Sequence, residues 1–278
     1  MSNRKNLAEF ANKRYGQNFL KNDQIIKQII QAMPTDNLTV AEIGPGLGDL
    51  TKELINVKTV EAFEVDKRLC EHLQKEFSEP INRGALSLNC GDVLERWGSG
   101  TLLEREYHLV ANLPYYIATN IILKALKDKH CQSILVMVQR EVAQKFSAKE
   151  GEKAFSALTV LTQSVGFGEL LFEVGAENFV PPPKVTSAIL LIKKERSRDD
   201  KGFEDFLKVA FKQPRKKLSK NLSTHYPKDK IEALFVKLEI NLNIRPHEAK
   251  TTIYHHLYNK LNKEIINGRE KRERKQQT

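Results

Sequence analysis

Residues 40–51 read VAEIGPGLGDLT, a short apolar run cut off by Gly44, Gly46 and Gly48 and followed by a helical pattern. Glycines where a strand hands over to a helix let the backbone turn sharply and let a ligand approach it closely. The dinucleotide fingerprint G-x-G-x-x-G wants glycine at the position of Asp49, so this turn is not of that kind. Working outward, LTVAEIG (38–44), TVEAFEV (59–65), ALSLNCGD (85–92), HLVANLP (108–114) and SILVMVQ (133–139) have the length of strands, and all but the third carry β-branched residues. Between the first three of them, LGDLTKELIN and DKRLCEHLQKEF carry apolar residues at helical spacing. Alternation of this kind predicts an α/β fold with a parallel sheet covered on both faces.

Farther on, LLFEV and SAILLIKK bracket the proline-stiffened FVPPPKV (179–185), which predicts an antiparallel addition at the end of the sheet. The expected domain therefore covers residues 1–192. KKERSRDDKG (193–202) has no large apolar residue and reads as a linker. Beyond it, Phe203, Phe206, Leu207, Ala210 and Phe211 recur on one helical face, as do Ile231, Leu234, Phe235 and Leu238, giving a small all-helical domain over 203–267. The last residues, GREKRERKQQT (268–278), are too polar to pack and read as a basic disordered tail.

A net charge of +10 over 278 residues points to phosphate-bearing partners, nucleic acid first. FKQPRKKLSKNL (211–222) concentrates that charge in Lys212, Arg215, Lys216, Lys217 and Lys220, the candidate RNA-binding residues. Cys70, Cys90 and Cys131 are odd in number and form no C-x-x-C pair, which argues against a disulfide framework or a metal site and fits a reducing cytoplasm. No apolar run is long enough to suggest a membrane segment, and a monomer is the expected state.

Three successive strands end in a possible ligand. Gly44 and Gly46 follow the first; Glu64 stands twenty residues after Gly44, a spacing at which a carboxylate bridges ribose hydroxyls; Asp92 closes the third, where it can accept from an adenine amino group. An edge bearing Glu42, Glu64 and Asp92 repels phosphate. It suits S-adenosyl-L-methionine, a nucleoside that carries a sulfonium and an amine and no phosphate.

The fourth strand runs into ANLPYY (111–116). Together RYGQNFL (14–20), EIGPGLGDLT, FEVD, GDVL, ANLPYY and FVPPPKVTSA (179–188), in that order, resemble the ribosomal RNA adenine N6,N6-dimethyltransferase family, and most closely its small-subunit branch. The resemblance implies a Rossmann-like class I methyltransferase sheet and dimethylation of two adjacent adenosines near the 3′ end of small-subunit rRNA, in the 30S subunit or its precursor. It also implies that Asn18 and Leu20 close over the cofactor, that Gly44, Glu64 and Asp92 hold it, that Asn112 lies in the active site, and that Phe179 is a second stacking aromatic.

An exocyclic adenine amine is a poor nucleophile because its lone pair is delocalised into the ring. Two neutral acceptors aimed at its N–H groups favour the localised form: the amide oxygen of Asn112 and the carbonyl of Leu113 or Pro114. A flipped base also needs aromatic faces. Tyr115 is one, Phe179 the other, and Tyr116 is expected to pack. Two other readings compete: modification of a large-subunit adenine, as in macrolide-resistance relatives, and a binding protein without catalysis.

Overall fold

The computed structural model describes residues 11–98 and 100–261; the expected tail at 268–278 lies outside them. The chain divides into two compact units, residues 1–147 with 165–199 and residues 148–164 with 200–278.

The first unit contains strands β1 (Phe19–Leu20), β2 (Thr39–Ile43), β3 (Val60–Glu64), β4 (Leu86–Cys90), β5 (Tyr107–Asn112), β6 (Cys131–Gln139), β7 (Gly166–Val174), β8 (Phe179–Val180) and β9 (Ser187–Lys194). Its helices are α1 (Asp23–Ala32), α2 (Asp49–Leu54), α3 (Lys67–Glu76), α4 (Ser78–Asn82), α5 (Val93–Trp97), α6 (Ala118–Lys127) and α7 (Arg140–Ser147). A seven-stranded sheet runs in the order β4-β3-β2-β5-β6-β9-β7. The first five strands are parallel, while β9 pairs antiparallel with both β6 and β7. The expected α/β sheet and its antiparallel end are therefore both present. Strand order reverses between β2 and β5, and at such a reversal the loops leaving the carboxyl ends diverge and open a crevice.

Local chemistry starts the elements where the pattern predicts. Asn22 caps α1 by accepting from the N–H groups of Gln24 and Ile25, and Asp66 caps α3 by accepting from Arg68. Gly48, which leads into α2, has φ of 87°, and a Cβ there would lie 2.4 Å from the Phe77 ring. Gly48→Ala is expected to cost about 1–2 kcal/mol for the left-handed backbone alone, and more for the clash. The measurement is the urea midpoint, and an unchanged midpoint would refute the assignment.

Two polar clusters tie the amino-terminal side of the sheet. Asp128, 2% exposed, accepts at Oδ2 from Trp97 Nε1 (3.1 Å), the Leu102 N–H (2.8 Å) and the Tyr107 hydroxyl (2.8 Å), and at Oδ1 from the His130 N–H (2.8 Å). His108 Nδ1 meets Ser133 Oγ at 2.7 Å and its Nε2 meets Asp36 Oδ2 at 2.9 Å. That serine–histidine–aspartate order invites a hydrolytic reading, yet Ser133 is only 3% exposed and the three residues clasp the loop before β2 to β5 and β6.

The second unit comprises α8 (Ala157–Val165, all but its last residue), α9 (Lys201–Ala210), α10 (Leu218–Leu222), α11 (Lys228–Lys237) and a helical run at 251–261. Its core joins Phe155 and Val160 to Phe203, Phe206, Phe235, Tyr254 and Leu257. Two domain limits therefore change. Residues 148–164, read from sequence as part of the first domain, pack in the second, held by Ser164 Oγ on His255 Nε2 (2.9 Å) and the Gly151 N–H on the His247 carbonyl (2.9 Å). The linker is also shorter, because Lys193 and Lys194 end β9 while Lys201 and Gly202 begin α9.

Candidate active site

The crevice at the β2–β5 reversal holds a cavity of about 150 Å³, lined from the ends of β2, β3, β4 and β5 and by the segment around β1. Gly44, Gly46, Glu64, Asp92, Asn18, Leu20, Asn112, Leu113, Pro114 and Tyr115 all line it. Nearly every residue singled out from the sequence for cofactor and base thus meets at one place.

Glu64, at the end of β3 and 4% exposed, accepts from the Gly46 N–H at Oε2 (3.2 Å) and from the Asp66 N–H at Oε1 (2.9 Å). Burial raises its pKa against those hydrogen bonds. The bond to Gly46 fixes the glycine turn against the acid. Asp92 is exposed and caps α5, with Oδ1 accepting from the Leu94 N–H (2.8 Å). Glu42, 1% exposed, accepts from Thr51 Oγ1 (2.7 Å), and burial, with the nearby Glu64 charge, pushes it up to about 8.

That shift has a measurable sign. Native Glu42 holds its proton to about pH 8, whereas the unfolded chain releases it near the ordinary value of 4.5. Native protein binds the extra proton in between, so this group makes stability fall as pH rises from 4.5 to about 8 and leaves it level above that. Glu42→Gln retains an acceptor for Thr51 and is expected to flatten this part of the Tm–pH curve and to melt higher above about pH 8. Superimposable curves for the two proteins would rule the shift out.

Besides Glu42, Glu64 and Asp92, Asp49 lines the cavity, and among the described residues no Lys, Arg or His does. With Glu42 neutral below about pH 8, Glu64, Asp92 and Asp49 give the lining its acidic character, which disfavours phosphate and fits a ligand whose charge is a sulfonium and an ammonium. The residues present therefore fit S-adenosylmethionine.

The stretch before α1 crosses this cavity and is stitched down at three places. Gln17 Nε2 donates to Asp66 Oδ2 (3.2 Å), Lys21 pairs with Asp49 (2.5 Å), and the Asn18 carbonyl accepts from Asn112 Nδ2 (3.1 Å). Gln17 and Asp66 were not foreseen as site residues. With the amide nitrogen of Asn112 committed to Asn18, its oxygen remains as an acceptor. The Pro114 carbonyl already accepts from the Ile117 N–H (3.2 Å), which leaves that of Leu113 as the more available second acceptor.

The aromatics differ from expectation. Tyr115 is half-buried with its hydroxyl on Ser187 Oγ (2.6 Å), an anchor that keeps the ring at the cavity. Phe179, expected as the second face, is 3% exposed and stands outside the lining, because β8 pairs with β1 (Leu20 opposite Phe179) and draws the ring into the core. Tyr116, expected to pack, is 60% exposed and lines the cavity beside Gly16. An available aromatic face is thus Tyr116, not Phe179.

The cysteines also depart from expectation, and with two of them bonded they give no support for a reducing compartment. Cys70 and Cys90 form a disulfide with Cα atoms 6.1 Å apart, and Cys131 alone is free and buried. Separation by 20 residues hides the pairing in the sequence. In three dimensions Cys90 lies opposite Glu64 in the β3–β4 ladder, and Cys70 on α3 comes down over the same strand end, its Sγ 3.9 Å from the Glu64 carbonyl. Lys212, Arg215, Lys216, Lys217 and Lys220 belong to the second unit, all exposed.

Comparison with known proteins agrees with this geometry. A family model described as ribosomal RNA adenine dimethylase matches residues 8–263. The ribosomal RNA small subunit methyltransferase A of Sulfurimonas denitrificans is 53% identical over 95% of this chain and 98% of its own length, and that of Aliarcobacter butzleri 51% over 94% and 98%. Among solved structures, the 23S rRNA methyltransferase ErmE superposes with a TM-score of 0.68 at 25% identity, covering 88% of this chain and 100% of its own. A dimethyladenosine transferase from Plasmodium falciparum shares the fold, with a TM-score of 0.74 at 23% identity over 88% and 98%. Extending over almost the whole chain, these likenesses place the protein in the ribosomal RNA adenine dimethylase family.

Proposed function

We propose that the protein dimethylates the N6 amines of two adjacent adenosines near the 3′ end of small-subunit rRNA, within the 30S subunit or its precursor, as a cytoplasmic monomer using S-adenosylmethionine. The observation that supports this reading most is the end-to-end likeness to proteins named for small-subunit methylation, at 53% identity, over a cavity whose polar groups are those an adenine amine needs. Glu64 and Asp92 hold the nucleoside end of the cofactor, Gly44 and Gly46 allow its close approach, and Asn18 and Leu20 cover it. S-adenosylmethionine supplies a methyl group already activated on a sulfonium. The protein's task is then to bring a weak nucleophile into line and to free its lone pair. The Asn112 oxygen and the Leu113 carbonyl accept the two N6 hydrogens, which favours a pyramidal nitrogen, and Tyr115, anchored through Ser187, lies along the base. A neutral amide serves better here than a carboxylate, whose charge beside the sulfonium would stabilise the bound ground state as well.

The test is transfer of label from S-adenosylmethionine to unmethylated small subunits, large-subunit RNA and duplex DNA, with products digested to nucleosides. Dimethyladenosine from small subunits alone is expected. Label in large-subunit RNA would move the protein to the resistance branch, and cofactor binding without transfer would favour a binding role.

A further inference from the structure

Between α9 and α10, Lys212, Arg215, Lys216 and Lys217 stand on exposed positions within six residues, and exposed Lys220 follows on α10. Lys217 Nζ reaches Asn243 Oδ1 (2.6 Å), whereas Lys212, Arg215, Lys216 and Lys220 make no ion pair among the described residues. Cations this close repel one another, and an unsupported loop would spread.

Support comes from beneath. Asn221 is 3% exposed, and among the described residues its side chain bonds only to that loop: Oδ1 accepts from the Gln213 N–H (2.9 Å), and Nδ2 donates to the carbonyls of Gln213 (3.0 Å) and Lys217 (3.3 Å). Gln213 and Asn221 thus exchange a reciprocal pair of hydrogen bonds, as two residues in a strand ladder would, while the second donor grips the far end of the loop. A buried amide is costly unless its polar groups are matched. Here every match is a backbone group of the cationic segment. On the far side the Leu218 N–H donates to the Ile244 carbonyl (2.8 Å), so the loop is fastened at both ends.

We propose that Asn221 is a positioning residue for RNA binding: by fixing the backbone from Gln213 to Lys217 it sets the loop's cations in advance at the places where they meet successive phosphates of the ribosomal RNA. This rests on the reading above that the loop binds rRNA. Ordering done within the folded protein is ordering that binding need not do. Asn221 carries no charge and contributes through geometry alone, so its loss weakens binding without changing the number of counterions released.

The test compares the wild-type protein, Asn221→Ala, and a variant combining K212Q, R215Q, K216Q and K220Q in methyl transfer to unmethylated small subunits over a range of salt concentrations. Asn221→Ala is expected to raise KM for the subunit about tenfold, with kcat, cofactor affinity and the slope of log KM on log salt all held. The charge variant should raise KM and also flatten that slope by about one for each phosphate no longer neutralised. If the charge variant weakens binding and Asn221→Ala does not, the positioning role falls alone. Wild-type KM and slope in the charge variant would bring down the RNA reading of the loop and the role of Asn221 with it. Should Asn221→Ala not fold, hydrogen exchange in the wild-type protein decides: the Gln213 amide is expected to exchange at least about tenfold more slowly than an open loop amide, and open-loop exchange would overturn the proposal.

Discussion

Asn112→Ala is expected to lower kcat about 10²–10³-fold, the usual effect of removing one group aimed at the charge that develops in a transition state. In the roles proposed above, the change takes away the acceptor for one N6 hydrogen and leaves Glu64 and Asp92, the acids assigned to the cofactor, in place. Titration calorimetry should therefore find S-adenosylmethionine bound within a few fold of wild type. On the cofactor side the substitution breaks the bond from Asn112 Nδ2 to the Asn18 carbonyl, an uncharged bond in a half-buried place, worth about 0.5–1.5 kcal/mol. Single-turnover rates on unmethylated subunits separate the two effects. A kcat within tenfold of wild type would mean that Asn112 is a structural turn residue and that the acceptor role belongs elsewhere.

The largest expected loss of stability is at Asp128→Ala, far from the cavity. Four donors converge on that carboxylate: the Trp97 indole, the Tyr107 hydroxyl and the N–H groups of Leu102 and His130. Trp97 and Tyr107 are 2% and 0% exposed, so water does not readily replace the missing partner. Each buried donor left without an acceptor costs about 1–3 kcal/mol, and partial relaxation still leaves a total of at least about 3 kcal/mol. For a unit of this size that lowers Tm by about 6–12 °C. Asp128→Asn, which retains one acceptor oxygen, should fall between the two. Calorimetric curves for Asp128→Ala that overlay the wild type would show that the donors find other partners.

How much could be read in advance follows physical lines. Strands β2 to β6 announce themselves because each is a short apolar run of strand length, β-branched in all but β4, and the acids and Asn112 fall at the carboxyl ends of β2 to β5, where topology gathers them. Gln17 and Asp66 carry no such signal, since a glutamine in a loop and an aspartate at a helix start look ordinary until the chain folds back. The exchange of exposure between Tyr116 and Phe179 has the same origin: burial of Phe179 depends on a two-residue pairing of β1 with β8, too short to leave any periodicity. Cys70 and Cys90 meet only because α3 returns over the strand end it left, and residues 148–164 look continuous with the strands around them although their apolar side chains pack with a core formed fifty residues later.

The hydrogen bond between Asn112 and the backbone of Asn18 gives the two ligands of this cavity a shared thermodynamics. In the roles proposed above, one end belongs to the group that grips the base and the other to the segment that covers the cofactor. Whatever factor the bound cofactor adds to RNA affinity through this bond, bound RNA must add to cofactor affinity, because the free energy of the doubly occupied state does not depend on the order of arrival. If that factor exceeds one, product release becomes cooperative as well: losing the spent cofactor loosens the RNA, and a subunit carrying a partly methylated base stays longest on the protein when fresh cofactor is at hand.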